Sequence, residues 1–463
     1  MEKKKTALFV VYLRAHLSEL LQTAICIKKS GKYNPVFLSM HNEPVTEDAK
    51  ALYKINDFQA YFETNNYTIL ANGRGRRPLA LVEFRYWFCK QLLTLLYKAN
   101  AVLKLVYHPL YKQIYFLLDS FKFYLQKVDS IDKFLSSTNP SVVVLAEDNV
   151  GYQTGVWASL CNRLSIPIIV IPYTLATASE PAEAYYSAEN HQIAGVIRNL
   201  VAKLYPQWVY YYKGKKLTRL PWTDVLAQEW LGIAPPKPWI LNSSHNSTVI
   251  AESKAVYRYY KNSGIPSAQM KIFGSVQQDI LAGKLKSSDR EKEILMKQLQ
   301  LEAAKPILLC ALPPSQFPRP QCEFKDYTSL IEFWIKSLNK TKWNVLISLH
   351  PRMKYEDMKH IESSGVKIVL KPTVELLPLC DLYVASVSAT IRWAIACGKP
   401  VINYDVYRYH YQDYEDVKGV VTLEKEDDFQ RTLKELTTNL DSLRRLTTLQ
   451  EKHMDDWGIL DGK

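Results

Sequence analysis

The chain lacks the short signatures that would assign it to a class outright. Its seven cysteines, Cys26, Cys89, Cys161, Cys310, Cys322, Cys380 and Cys397, form no C-x-x-C pair. They are odd in number, scattered and mostly set in apolar runs, so they read as buried thiols and not as a disulfide framework or a zinc knuckle. No G-x-G-x-x-G follows the first apolar run, which disfavours a dinucleotide cofactor. No D-x-D and no His/Asp grouping with metal spacing occurs in the stretches expected to line a site, so neither a cofactor nor an obligatory metal is expected. Zinc fingers, RNP-like runs and long Lys/Arg blocks are missing as well, and nucleic acid is not an expected partner. No uninterrupted apolar stretch reaches the ~18 residues of a spanning helix. The opening MEKKKTALFVVYL is interrupted by Arg14 and His16 without a small-residue cleavage site, unlike a secretory leader. The expected compartment is the cytoplasm.

What is present is a large folded composition. The 463 residues are 47% hydrophobic and 23% charged, too long for one ordinary core, so two domains are expected. The formal net charge is +13. Such an excess suits an anionic substrate, an anionic glycan or the inner face of a membrane.

The stretch from Thr341 to Tyr404 organises the rest. Apolar runs (VLISL, KIVL, LYVAS, PVINY) alternate with helical patterns, the pattern of a parallel α/β sheet. Polar residues gather where these strands end: His350-Pro351-Arg352 after one, Ser386-Val387-Ser388-Ala389-Thr390 after another. Ligands of open parallel sheets sit beyond the carboxyl ends of the strands, and a start rich in Ser and Thr offers hydroxyls and N–H groups to a phosphate.

Earlier in the chain, TALFVVYL (6–13), a helix and PVFLSM predict a βαβ opening. Residues 80–134 turn into long helices in which Lys interleaves with aromatics. They predict either a packed helical excursion with a solvated basic face or a surface for an anionic membrane. PSVVVLAEDN predicts a buried strand ending in Glu147 and Asp148, at the edge where a general base would stand; the alternative is a helix cap. Glu180 and Glu183 follow the next strand and are candidates for the acceptor side, with Arg14 and His16 after the first strand. Residues 205–238 read as an irregular aromatic excursion, WILNSS as a strand, and STVIAESKAVYRYYKNSG as a helix. The expected division is 1–281 for the first domain, with its insertion at about 80–134, a linker at 282–304, and 305–463 for the second domain.

The order of these pieces resembles the two-Rossmann-domain glycosyltransferases called GT-B, and their relative the UDP-N-acetylglucosamine 2-epimerase. The resemblance is carried by Gly264-Ile265-Pro266 leading to KIFGSVQQD and by CDLYVASVSATIRWAIACGKPVINYD. It implies two Rossmann-like domains facing a central cleft. The epimerase pattern is broken in three places: Leu312-Pro313-Pro314-Ser315-Gln316 replaces a His/Arg motif, Ser386-Val387-Ser388 a glycine-rich turn, and Tyr173-Thr174 an expected Glu. Ordinary UDP- or GDP-sugar transferases carry a ribose-binding Glu where Arg392-Trp393 stand. Glu147-Asp148-Asn149, His350-Pro351 and the Ser-rich start instead resemble bacterial transferases that use CMP-activated acidic sugars, sialyl- and Kdo-transferases of capsule and lipopolysaccharide. CDP-glycerol polymerases share the His-Pro and Ser-rich features.

That resemblance implies a CMP-sugar donor and a glycan or lipid-linked glycan acceptor. It implies Asp148 as acceptor base, with Glu147 as second choice, and His350 on the leaving phosphate. Ser386, Ser388, Thr390, Arg352, Ser315 and Gln316 would surround the nucleotide. A CDP-glycerol-type or UDP-sugar transferase and a non-catalytic GT-B-like scaffold stay open as alternatives.

Overall fold

The computed structural model describes residues 5–40, 58–60, 88, 91–93, 95–96, 108–152, 154–175, 177–244, 246–317, 319, 321–350 and 352–462. The chain divides into two compact units, Met1–Ile250 with Tyr259–Lys271, and Ala251–Arg258 with Ile272–Lys463.

The first unit is built on a sheet of β1 (Lys5–Val11), β2 (Tyr33–Ser39), β3 (Phe58–Ala60), β4 (Val142–Leu145), β5 (Ile168–Val170), β8 (Ser247–Ala251) and β9 (Met270–Ile272). Their order is β3-β2-β1-β4-β5-β8-β9. The run Ala7–Val11 is buried throughout because β1 lies parallel between β2 and β4, with a helix on its face. That helix, Arg14–Lys29, turns Leu17, Leu20, Leu21 and Ala24 inward at i, i+3, i+4, i+7 spacing, onto Phe9, Phe37 and Val144. Each buried Leu contributes about 1.5–3 kcal/mol in transfer terms. Phe9 and Phe37, opposite one another in the β1–β2 register, stack with centroids 5.0 Å apart.

Of the helical insertion read at 80–134, the part from His108 is one 31-residue helix, His108–Thr138. It buries Leu118, Leu125, Val128, Ile131 and Leu135 and packs against helices Thr154–Arg163 and Trp222–Leu231. The rest of that insertion, apart from residues 88, 91–93 and 95–96, lies outside the described residues. The stretch 205–238, read as irregular, is ordered: an antiparallel hairpin of β6 (Val209–Tyr212) and β7 (Lys215–Thr218) precedes the helix Trp222–Leu231.

The second unit repeats the plan with β10 (Ile307–Ala311), β11 (Asn344–Ser348), β12 (Lys367–Ile368), β13 (Leu382–Ala385), β14 (Val401–Tyr404) and β15 (Val420–Leu423). The order is β12-β11-β10-β13-β14-β15, with all neighbours parallel. Trp334, Tyr404 and Phe429 centre its core, the last two stacked at 4.6 Å. Helix Tyr327–Asn339 starts on a capping box between Asp326 and Ser329. Residues 282–304, read as a linker, lie largely in two helices, Val276–Lys286 and Ser288–Leu299, both within the second unit. Among the described residues no helix is long and apolar enough to cross a membrane.

Candidate functional site

Both sheets reverse their strand order beside a central strand, between β1 and β4 in the first and between β10 and β13 in the second. Such a switch point opens a crevice at the carboxyl edge of the sheet, where connections diverge to opposite faces. The candidate residues sort onto these two edges.

In the first unit, β1 leads to His16 and β4 leads to Glu147, so the switch point brings them together across 131 residues of sequence. His16 Nε2 lies 3.2 Å from Glu147 Oε1, and both residues are almost wholly buried, at 1% and 4% exposure. The Tyr12 amide donates to His16 Nδ1 over 3.4 Å, so in the neutral ring the proton sits on Nε2 and is donated to Glu147. The imidazole is held edge-on by Tyr152 and leans on Tyr173, whose centroid is 4.9 Å away. Glu147 Oε2 has no hydrogen-bond partner among the described residues.

Asp148 is engaged differently. Its Oδ1 accepts from the Thr154 hydroxyl at 2.6 Å and its Oδ2 from the Ser244 amide at 2.8 Å. Its own amide donates to Asn242 Oδ1, and its carbonyl accepts from the Asn242 amide. With 5% exposure and each oxygen already accepting, Asp148 fastens the 238–244 turn to the end of β4. Asn149 extends the fastening: its Oδ1 accepts from Arg219 Nη2 at 2.9 Å, and Arg219 also donates to the Tyr185 hydroxyl. Tyr185 stacks on His191 at 3.9 Å and 6°.

The remaining acceptor-side candidates are dispersed. Arg14 opens the helix Arg14–Lys29. Glu180 and Glu183 lie on the helix Ser179–Tyr185. Glu183 is bound to the hairpin, by Lys213 Nζ at 2.7 Å and by the Tyr212 hydroxyl. That ion pair holds a helix to a hairpin.

In the second unit the switch point lies between the loop after β10 and the loop after β13. Ser315 and Gln316 follow β10 and are exposed, in a proline-rich loop tied down by Tyr327, which donates to Pro313 O, and Tyr407, which donates to Pro314 O. After β13, Ser386 Oγ is buried and has no hydrogen-bond partner among the described residues. Val387 follows with φ +46°, its amide donating to Asn403 Oδ1 at 2.8 Å. The hydroxyls of Ser388 and Thr390 lie 2.7 Å apart, and Thr390 also meets the Tyr383 hydroxyl. The helix that begins there, Ile391–Ala396, is only six residues long. Hydroxyls, and not a long helix dipole, are therefore the polar resource of this turn.

His350 is the second residue beyond β11, the strand next to β10. The Arg352 amide donates to its Nδ1 at 3.1 Å, leaving Nε2 as the protonated, donating nitrogen of a neutral ring. Burial, helped by the Arg352 cation, pulls its pKa down to about 4, so the ring is neutral through the physiological range. Arg352 itself is exposed, and Pro351 lies outside the described residues. Sequence reasoning passed over Glu252, which forms a buried ion pair with Arg392 and also accepts from the Ser275 hydroxyl at 3.2 Å. Its only signal in the sequence was position: it follows directly on an apolar run.

No family model matches the chain, and no curated protein sequence matches it. Solved structures do. A UDP-GlcNAc 2-epimerase from Neisseria meningitidis, bound to UDP-GlcNAc, is similar at 11% identity over 99% of this chain and 97% of its own, with a TM-score of 0.50. S. aureus MnaA in a co-structure with UDP is similar at 10% identity, over 99% and 94% of the two chains, also with a TM-score of 0.50. At such identities the likeness establishes the fold, two Rossmann-like domains of the GT-B kind.

Proposed function

We propose that the chain is a nucleotide-sugar-dependent glycosyltransferase. It moves an acidic sugar of the Kdo or nonulosonic acid type from a CMP-activated donor to a glycan or lipid-linked glycan acceptor in bacterial capsule or lipopolysaccharide assembly. The observation that carries this reading is Ser386 Oγ, a buried hydroxyl without a partner among the described residues, at the switch point of the second sheet. A buried polar group left unpaired costs about 1–3 kcal/mol, and a phosphate oxygen would accept its hydrogen bond. Ser388 and Thr390 add hydroxyls to the same turn, and His350 offers a neutral N–H from the end of β11, which lies on the other side of β10 in the sheet. As the glycosyl C–O bond breaks, its electron pair passes to the phosphate oxygen, and donors that tighten on that charge accelerate departure.

On the acceptor side the geometry favours Glu147 over Asp148. Glu147 has one oxygen oriented by His16 and one without a hydrogen-bond partner among the described residues, whereas each oxygen of Asp148 already holds loop structure. Glu147 Oε2 takes the proton of the acceptor hydroxyl while the hydroxyl oxygen bonds to the anomeric carbon; His16 acts as the positioning residue. No step is routed through a resident cofactor or metal. The +13 charge accords with an anionic donor and a membrane-borne acceptor.

A uridine nucleotide is the second reading, because the two solved structures matched along their length hold UDP-GlcNAc and UDP. A thermal-shift panel of CMP, CDP, UDP and GDP separates the readings, since a ligand of the folded state raises stability by RT ln(1 + [L]/Kd). The largest shift is expected with CMP. A larger one with UDP moves the assignment to a UDP-sugar enzyme, and one with CDP to the CDP-glycerol class. No shift with any nucleotide, together with no transfer from CMP-sugars, leaves a scaffold.

A further inference from the structure

The proposed reaction leaves unused a second polar cluster at the carboxyl edge of the second sheet. Asp405 is the first residue beyond β14 and Glu424 the first beyond β15, the strand paired with it. His410 comes from the loop between them, with a left-handed backbone at φ +58°, as has Arg408 at +52°. One ligand atom from each of Asp405, His410 and Glu424 lies within 4.8 Å of the others. His410 Nδ1 is 2.8 Å from Glu424 Oε1, and the His410 amide donates to Asp405 Oδ2 at 2.8 Å.

A second observation points to a ligand. Asp405 is 2% exposed, and its Oδ1 accepts no hydrogen bond among the described residues. A buried carboxylate with an idle oxygen calls for a cation or a proton. The nearest guanidinium of the loop, Arg408, is paired with Glu323 at 3.0 Å. The side chains of His410 and Glu424 are 55% and 41% exposed, so the cluster is open to solvent on one side.

We propose that Asp405, His410 and Glu424 form a binding site for a divalent transition-metal cation of the Zn²⁺ or Mn²⁺ class. One imidazole with two carboxylates favours such ions over Mg²⁺ and Ca²⁺, which prefer all-oxygen shells. The cation takes the place of the proton now held between His410 Nδ1 and Glu424, and the neutral ring carries its proton on Nε2 instead. Three protein ligands leave at least one position for water or for an oxygen of a bound ligand. The metal then ties the loop that follows β14 to the end of β15.

The test uses the tag-free full chain, stripped with EDTA and desalted, then titrated calorimetrically with Zn²⁺, Mn²⁺, Mg²⁺ and Ca²⁺, with metal content counted by mass spectrometry. One Zn²⁺ or Mn²⁺ per chain is expected, with a rise in Tm and at least ~10-fold weaker binding of Mg²⁺ and Ca²⁺. Asp405→Asn, His410→Ala and Glu424→Gln should each weaken binding by ~10-fold or more. The last two alter exposed side chains, so they stay informative if the Asp405 variant fails to fold. Absence of stoichiometric binding, Mg²⁺ binding as tight as Zn²⁺, or unchanged affinity in both His410→Ala and Glu424→Gln overturns the proposal.

Discussion

Asp148 and Asn242 hold each other twice: the Asp148 amide donates to Asn242 Oδ1, and the Asn242 amide donates to the Asp148 carbonyl. Ninety-four residues separate them. This reciprocal clasp, with the Asp148 carboxylate accepting from Thr154 and Ser244, fixes the end of β4 from which Glu147 projects.

Asp148→Asn should therefore act on stability. The neutral amide can keep its oxygen on the Ser244 N–H only by turning an N–H towards the Thr154 hydroxyl, which must then accept, so charge assistance is lost on both bonds at a cost of about 1–3 kcal/mol. Denaturant melts should show a lowered midpoint with unchanged slope, while CMP affinity persists. A variant as stable as the wild type but without transfer activity would return Asp148 to the role of base.

Glu147→Gln should leave the fold and donor Kd near wild type and lower kcat by about two or more powers of ten, the usual worth of a general base. His16→Ala should cost less than Glu147→Gln, since it removes orientation and not the proton acceptor. Single-turnover transfer at saturating donor measures both.

Ser386→Ala separates binding from stability. The wild-type hydroxyl has no partner among the described residues, so its removal should leave the free protein as stable as before or slightly more stable. The nucleotide Kd should nevertheless rise, by about five- to tenfold for one lost hydrogen bond. Equal nucleotide affinity in the two proteins, by calorimetry, refutes the phosphate assignment.

His350 gives a pH signature. Its folded pKa, about 4, lies below the unfolded value near 6.5. Between these values the unfolded chain binds the extra proton, so the contribution of His350 to stability rises with pH through that window and falls away as pH drops towards 4. His350→Gln, which keeps a donor without titrating, should flatten this part of the stability curve measured by urea melts at pH 4.5, 5.5 and 7. Nucleotide binding should stay level from pH 6 to 8, because the donating N–H belongs to the neutral ring.

The Arg392–Glu252 pair is buried on both sides. Glu252→Ala removes the carboxylate paired with a buried guanidinium, and a loss of about 3–5 kcal/mol is expected by calorimetry. Arg392→Met combined with Glu252→Leu should recover most of that loss, since it removes the buried cation together with its carboxylate.

Much of this architecture was legible because parallel strands bury both faces and so advertise themselves as unbroken apolar runs, as in TALFVVYL and LYVAS. The turn after β13 was legible for a similar reason, polar residues crowding where a buried run stops. Short strands were not. WILNSS reads as apolar enough for a strand, yet it is the turn whose Asn242 and Ser244 clasp Asp148, and the strand is Ser247–Ala251 in what read as a helix. Five residues of STVIA carry too little periodicity to outweigh the helical pattern after them. The different hydrogen bonding of Glu147 and Asp148 could not be read at all, because it rests on partners up to 131 residues away.

Val387 inverts the usual hierarchy of tolerated replacements. A β-branched side chain rarely occupies a left-handed backbone, and the strain is of the order of 1–2 kcal/mol. In a saturation library the site should accept glycine and asparagine more readily than isoleucine or threonine, although the last two resemble valine in shape. Sequence drift at this turn is then steered by backbone handedness, and a lineage that acquired glycine there would have little pressure to return.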